Sequence, residues 1–312
     1  RCHTRTMSTL RRRLRAGSAL VVAVASGLAA CTPPVDPPDP PDSPTGCNGV
    51  DALCTRSFDQ VAYLTTHNAM SSSAYSFLGP NQTYSFTGQL DRGVRALMLD
   101  IHRNGESPLP AADLPSDAVL LCHEYCAIGH LSLVTGLAEI KAWLDDHPRE
   151  VITLILENYV SASDLDTAMT DSGLAPRLFD HAVGTPWPTL GEMIAADRRV
   201  VVLTDSQGSQ RPWLLPAFAE AWDTNWSAAA TGDLTCGVNR GSFSNRLVIL
   251  NNFLTNPIAS TGLADAANSN PFLAQRIESC RADWGGRIPN FVTVDFFERG
   301  DAAGEVRALN ES

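Results

Sequence analysis

The sequence has 312 residues, 44% of them hydrophobic and 18% charged, with 20 Pro and 22 Gly, enough apolar chain for one large core or two smaller ones. Its formal charge is −11, and once the six arginines of residues 1–30 are set aside, 17 basic residues face 34 acidic ones. That balance argues against nucleic acid as a partner and against loose electrostatic adsorption to an anionic surface.

From Met7 the chain reads "MSTLRRRLRAGSALVVAVASGLAAC": a basic cluster, a short apolar run, then small residues before Cys31. This is the layout of a secretory signal, too short and wrongly flanked for a membrane span. "LAAC" resembles the bacterial lipobox. Residues 1–30 are therefore expected to be a lipoprotein-type signal peptide, with Cys31 lipidated in an exported, membrane-anchored product; ordinary cleavage after Ala30 would give a secreted one. Residues 31–46 form a Pro-rich linker whose prolines remove donors and fix φ, so it reads as a semi-rigid polyproline spacer. Residues 47–312 are the expected globular domain, taken to be monomeric. Its six cysteines fit oxidised pairs in an exported protein. Local spacing suggests Cys47 with Cys54 and Cys122 with Cys126, leaving Cys236 with Cys280. No His or Cys cluster has zinc-finger spacing.

Seven short apolar runs follow: "VAYLTTH", "VRALMLDIH", "AVLLCH", "VITLILEN", "RVVVLTD", "RLVILNN" and "NFVTVDFF". Runs this apolar, with helical patterns between several of them, predict strands buried on both faces of a parallel sheet. "HLSLVTGLAEIKAWLDDHP" places Leu133, Leu137, Ile140 and Leu144 at helical spacing and stops at Pro148. "SASDLDTAMTDSGLAPRLFD" opens on capping residues, and "NPFLAQRIESCRADWGG" closes on a Gly pair. The fold class predicted is α/β, an irregular TIM (β/α) barrel, a fold that typically takes ~250 residues. An open doubly wound sheet is the rival, but the Gly-rich first turn of such sheets is missing.

Nearly every predicted strand ends on its C-terminal side in a group capable of chemistry: His67 with Asn68, Asp100 with His102, His123 with Glu124, Glu157 with Asn158, Asp205, Asn251 with Asn252, and Asp295. In a parallel barrel those ends converge on one mouth. Two histidines there suit general acid–base work, and a neighbouring carboxylate would fix a tautomer. The remaining oxygens could hold a hard cation such as Ca²⁺, and acid, base and cation together suit phosphodiester cleavage. A zinc hydrolase would need closely placed N or S ligands, and there is no HExxH pair. His102 shares the strand parity of Asp100 and joins Asp205, Asn251 and Asp295 as a second tier of pocket residues. His130, His147 and His181 lie in or beside helices and are expected at the surface or as caps. Trp187, Trp213, Trp222 and Trp226 are expected in the core, with an apolar rim that inserts into a bilayer as the alternative, and Arg92, Arg95 and Arg103 near the mouth.

In this order, "LTTHNAMSSS", "QLDRGVRALMLDIH", "LLCHEYCAIGH" and "VITLILENYV" resemble the X domain of phosphatidylinositol-specific phospholipase C, within the PLC-like phosphodiesterase superfamily. The likeness is nearest to secreted stand-alone X-domain proteins and runs from about Cys47 to the C-terminus. It implies a distorted TIM barrel and a phospholipid or inositol phosphodiester substrate. In such a site His67 would be the general base on the inositol 2-hydroxyl and His123 the acid for the departing glyceryl oxygen. It further implies a Ca²⁺ site at Asn68, Asp100 and Glu157, with Met98 standing where a fourth ligand, Glu, is expected. There is no Arg at the Asp100 position, where calcium-independent members carry one. Asp295 is a candidate for orienting a histidine. The alternatives are the same chemistry on another lipid or glycerophosphodiester head group, and a surface-tethered module that binds head groups without turnover.

Overall fold

The structure, a computed structural model, describes residues 46–311, so the signal segment, Cys31 and nearly all of the Pro-rich linker lie outside the described residues. The strands in chain order are β1 (Tyr63–Thr66), β2 (Val94–Arg103), β3 (Val119–Leu121), β4 (Leu131–Ser132), β5 (Ile152–Asn158), β6 (Val200–Thr204), β7 (Leu214–Pro216), β8 (Ala221–Asp223), β9 (Leu247–Asn251) and β10 (Phe291–Val294). The helices are α1 (Phe86–Leu90), α2 (Leu133–Asp146), α3 (Ala162–Asp171), α4 (Leu190–Ala195), α5 (Ala217–Glu220), α6 (Thr261–Asn268), α7 (Phe272–Asp283) and α8 (Ala302–Glu311). Among the described residues no helix is long and apolar enough to cross a membrane.

Eight of the strands pair in parallel in the order β7-β6-β5-β2-β1-β10-β9-β8. The two edge strands, β7 and β8, are consecutive in the chain and joined by α5, so the sheet curls into a barrel with a seam between them. This is the irregular α/β barrel expected, with two corrections. The run "AVLLCH" is not a barrel strand: β3 pairs antiparallel with the distal half of β2, and β4 pairs with β3. The reason is length, because β2 has ten residues and outruns its parallel partners, exposing an edge that the β3–β4 hairpin covers. The missing barrel strands are β7 and β8, three residues each and closed by Pro216 and Asp223, so neither registers as an apolar run.

Side-chain alternation divides the core in two. Tyr63, Ala96, Ile155, Val201, Leu203, Ile249 and Phe291 point into the barrel, while Leu64, Leu97, Leu99, Leu154, Val202, Val248 and Val292 point out under the helices. Both faces are buried, which is why these strands read as unbroken apolar runs. α2 turns Leu133, Leu137, Ile140 and Leu144 to the sheet, and α3 starts at a capping box between Ser161 and Asp164. Phe58 plugs the end of the barrel where the strands begin, stacked on Trp187 at 4.6 Å and tilted on Tyr63 at 5.0 Å. Trp187 and Trp222 are core, Trp213 is half-buried and Trp226 is exposed. His181 departs from expectation. Its side chain is buried against Trp187, with ring centroids 3.9 Å apart.

The disulfides are Cys47–Cys54, Cys122–Cys126 and Cys236–Cys280. The first staples the segment that leads into the plug, the second closes the loop carrying His123, and the third ties the β8–β9 connection to α7.

Candidate active site

The inward parity of each strand, carried to its C-terminal end, delivers His67, Asp100, Glu157, Asp205, Asn251 and Asp295 to one rim. His67 continues the ladder of β1, its backbone N–H donating to Val294 O at 3.0 Å, so its ring lies beside Asp295 at the end of β10. His67 Nδ1 donates to Asp295 Oδ1 at 2.9 Å. A carboxylate only accepts, so Nδ1 carries a proton, and in the neutral ring the lone pair is on Nε2. Asp295 is buried, and Asn81 Nδ2 donates to the same Oδ1 at 3.0 Å while Oδ2 has no partner. Gln82 Nε2 bridges the His67 and Val294 carbonyls at 2.8 and 3.0 Å, and Phe253 lies flat on the imidazole with centroids 3.6 Å apart. Tautomer, peptide and ring plane of His67 are each held by a different neighbour.

His123 arrives from β3. The Cys122 N–H donates to Asp100 O at 3.2 Å, and His123 Nδ1 donates to Asp100 Oδ2 at 2.7 Å. Asp100 is 4% exposed, whereas the His123 side chain is 57% exposed. The hydrogen bond to Asp100 raises the His123 pKa above its ordinary value against the opposing pull of burial, with the charges of Asp100, Glu157 and Glu124 adding to the rise. The Asn68 amide nitrogen lies 3.3 Å from the same Nδ1, so the residue after His67 touches the ring of His123. Asn68 adopts a left-handed backbone, φ 46°, which turns the chain sharply at this point. One rim therefore holds both imidazoles.

Glu157 faces Asp100 in register on β5, and its pKa is raised by burial and then by the charges of Asp100 and Asp205. Tyr159 Oη donates to Glu157 Oε1 at 2.5 Å and its ring stacks on His102 at 4.3 Å. His102 is buried, its pKa lowered by burial, and it packs the wall. Asp205 Oδ1 accepts from the Asn158 N–H at 2.9 Å and burial raises its pKa. Asn251 turns aside: its Nδ2 donates to Thr224 O at 2.8 Å and to Asp223 Oδ2 at 3.3 Å. Asp223, fully buried, holds Arg240 through Nε at 2.9 Å and Nη2 at 2.5 Å. The charge of Arg240 offsets part of the rise that burial gives the Asp205 pKa. Arg95 lies elsewhere. It is tied to Glu150 at 2.7 Å at the start of β2, away from the mouth, and Arg92 stands just before that start. Arg103, at the end of β2, pairs with Asp164 at 2.6 Å.

As a Ca²⁺ site, the set of Asn68, Asp100 and Glu157 is right in kind and short in number. Its atoms are hard oxygens, and the mutual repulsion that raises Glu157 is the kind a cation relieves. Yet Asp100 Oδ2 serves His123 and Glu157 Oε1 serves Tyr159, and Met98 brings a thioether on the same strand parity. Among the described residues no three His, Cys, Asp or Glu side chains converge as metal ligands.

Sequence reasoning missed Asn81, Gln82, Phe253, Asp223 and Arg240. Asn81 and Asp295 are 214 residues apart, and no local pattern links them.

The family described as PI-PLC X 1 matches residues 53–310. A PI-PLC X domain-containing protein 1 of Arthroderma benhamiae is 28% identical over 290 residues, covering 85% of this chain and 89% of that one. A PI-PLC X domain-containing protein of Arabidopsis thaliana is 28% identical over 81% of this chain, which spans 62% of the plant protein. In three dimensions the chain is similar to a phosphatidylinositol-specific phospholipase C of Staphylococcus aureus, with TM-score 0.53, 14% identity, and coverage of 84% of this chain and 95% of that one.

Proposed function

The chain belongs to the PI-PLC X family and has the PLC-like phosphodiesterase fold, and on that premise we propose that it is an enzyme cleaving a phosphatidylinositol-type diester with paired histidines as base and acid. The observation that carries this is the matched anchoring of the two rings. Each Nδ1 is fixed by a buried carboxylate, so each Nε2 is left for substrate at one rim. His67 Nε2 would take the proton of the inositol 2-hydroxyl as its oxygen bonds phosphorus. The bond from phosphorus to the glyceryl oxygen breaks, and His123 Nε2 gives that oxygen its proton. Diacylglycerol and an inositol cyclic phosphate result. The raised proton affinity of His123 suits the acid, and proton transfers of this type each contribute about 10²–10⁴-fold. Asn68, Asp100 and Glu157 would hold a Ca²⁺ ion, whose charge would stabilise phosphoryl oxygens.

An apolar rim supports a lipid substrate. Leu78, Leu109, Tyr125, Ile128 and Ile258 are exposed, Leu78 by 70%, on loops that follow β1, β2, β3 and β9. They are neighbours: the Leu78 N–H donates to Ile128 O and the Ala127 N–H to Leu109 O, both at 2.9 Å. The disulfides fit an exported protein. The experiment is ³¹P NMR of phosphatidylinositol vesicles with purified protein. A cyclic phosphodiester resonance, absent with His67→Ala, supports the reading; none with the wild type at any Ca²⁺ concentration overturns it.

A further inference from the structure

At the other end of the barrel, where Gln60, Arg246 and Asn290 precede β1, β9 and β10, a cleft of about 510 Å³ is lined by four arginines, Arg56, Arg246, Arg281 and Arg287, with Asp59 its one acidic lining residue. In a chain of formal charge −11 this is an unusual concentration of positive charge. The pairing within it is incomplete. Arg246 Nη1 meets Asp59 at 3.1 Å. Arg287 gives its Nη groups to backbone carbonyls, Phe243 O at 2.6 Å, Arg246 O at 3.0 Å and Asn245 O. Burial lowers its pKa, as expected of a cation that has lost water and gained carbonyl dipoles and the faces of Phe243 and Trp222. Among the described residues Arg281 pairs with the exposed Glu278, at 3.6 Å, and its Nε is buried without a hydrogen-bond partner. A buried donor on a charged group is costly to leave unmet. Guanidinium forks match the oxygens of phosphate groups two at a time, and the volume lies within the usual range for small-molecule sites.

We propose that this cleft binds a multivalent oxyanion of the phosphate-monoester or pyrophosphate class, at the end of the barrel remote from the candidate active site. It stands on its own residues and does not depend on the proposed catalytic reading. The same chemistry is offered by a soluble phosphate and by the head group of an anionic lipid, so the test has two arms. In one, inorganic phosphate and pyrophosphate are titrated into the protein at constant ionic strength, with chloride as control, by calorimetry and melting temperature. In the other, sedimentation with phosphatidic acid vesicles reports head-group capture. Wild type, Arg281→Gln and the Arg246→Gln/Arg281→Gln double variant are compared. Saturable binding that weakens by about tenfold or more in the double variant is expected, from loss of charged hydrogen bonds, with phosphodiester hydrolysis unchanged. Binding in the first arm assigns a soluble ligand, and variant-sensitive binding in the second alone assigns a lipid head group. Absence of saturable binding in both, or binding indifferent to the substitutions, overturns the proposal. Should the double variant not fold, Arg281→Gln decides, since its loss breaks only a surface pair.

Discussion

His67 Nδ1 and Asp295 Oδ1 lie 2.9 Å apart although 228 residues separate them in the chain. The pairing of β1 with β10 brings them together, and Asn81 holds the carboxylate from a third side. Replacing Asp295 with Asn keeps the shape and removes the charge that orients and supports the ring. The expected loss in kcat is on the order of 10²–10⁴, the contribution of a positioned base, with KM little changed. Asn81→Ala should cost less, about three- to tenfold, the worth of one hydrogen bond. Steady-state kinetics on a soluble inositol phosphodiester checks both, and equal losses from the two variants would argue against the assigned roles.

Asp100 raises the proton affinity of His123, and the sign of the pH dependence follows. A histidine whose folded pKa is raised contributes stability that is full below its unfolded value of about 6.5 and fades as pH rises through the folded value. The same protonated form is the acid of the proposed mechanism, so the alkaline limb of kcat/KM should lie above the ordinary histidine range. Asp100→Asn should draw that limb toward acid. A limb that stays in place would mean another group governs it.

Met98 occupies the inward position two residues before Asp100, where an oxygen ligand would add to the proposed cation site. Ca²⁺ affinity is tuned by ligand charge. Met98→Glu should therefore tighten Ca²⁺ binding by calorimetry and lower the Ca²⁺ concentration needed for half activity. Unchanged Ca²⁺ binding in the variant would remove Asn68, Asp100 and Glu157 as a cation site.

Glu220 is buried, its Oε1 3.8 Å from His181 Nε2, and among the described residues neither atom has a hydrogen bond. Burial pushes its pKa up to about 7. An acid with a raised folded pKa withdraws stability as pH climbs from its unfolded value to its folded one. Glu220→Gln should raise the melting temperature at pH 8.5 and leave it nearly unchanged at pH 5. Equal shifts at both pH values would show that the folded pKa of Glu220 is not raised.

The apolar rim predicts a split between substrates. Leu78→Ser with Ile128→Ser should weaken binding to phosphatidylinositol vesicles by about tenfold or more, from the apolar area withdrawn, and leave kcat/KM for a soluble substrate intact. Vesicle affinity unchanged by both substitutions would place lipid contact elsewhere.

Strands buried on both faces announce themselves, and β1, β2, β5, β6, β9 and β10 were all legible as apolar runs with a polar residue at the end. Direction was not: Val119–Leu121 is as apolar as its neighbours, and periodicity carries no sign for parallel or antiparallel pairing. Nor were strands of three residues, where Pro216 and Trp222 give no pattern. Of the site, the strand-tip residues could be read because parity and barrel geometry are local rules. The supports of the histidines could not. Asn81, Gln82 and Phe253 come from connecting loops, and only the closed sheet brings them to His67. His181 read as a surface residue because its burial depends on Trp187 and Glu220 folding over it.

The division of labour between the two rings is tested most directly by changing the leaving group. A soluble inositol phosphodiester with a 4-nitrophenyl leaving group needs no proton on departure, whereas a glyceryl one does. His123→Ala should lose on the order of 10²–10⁴ in kcat/KM on the glyceryl substrate and stay close to wild type on the nitrophenyl one, while His67→Ala should lose heavily on both. Equal losses for the two variants on both substrates, or no loss for either, would contradict the account.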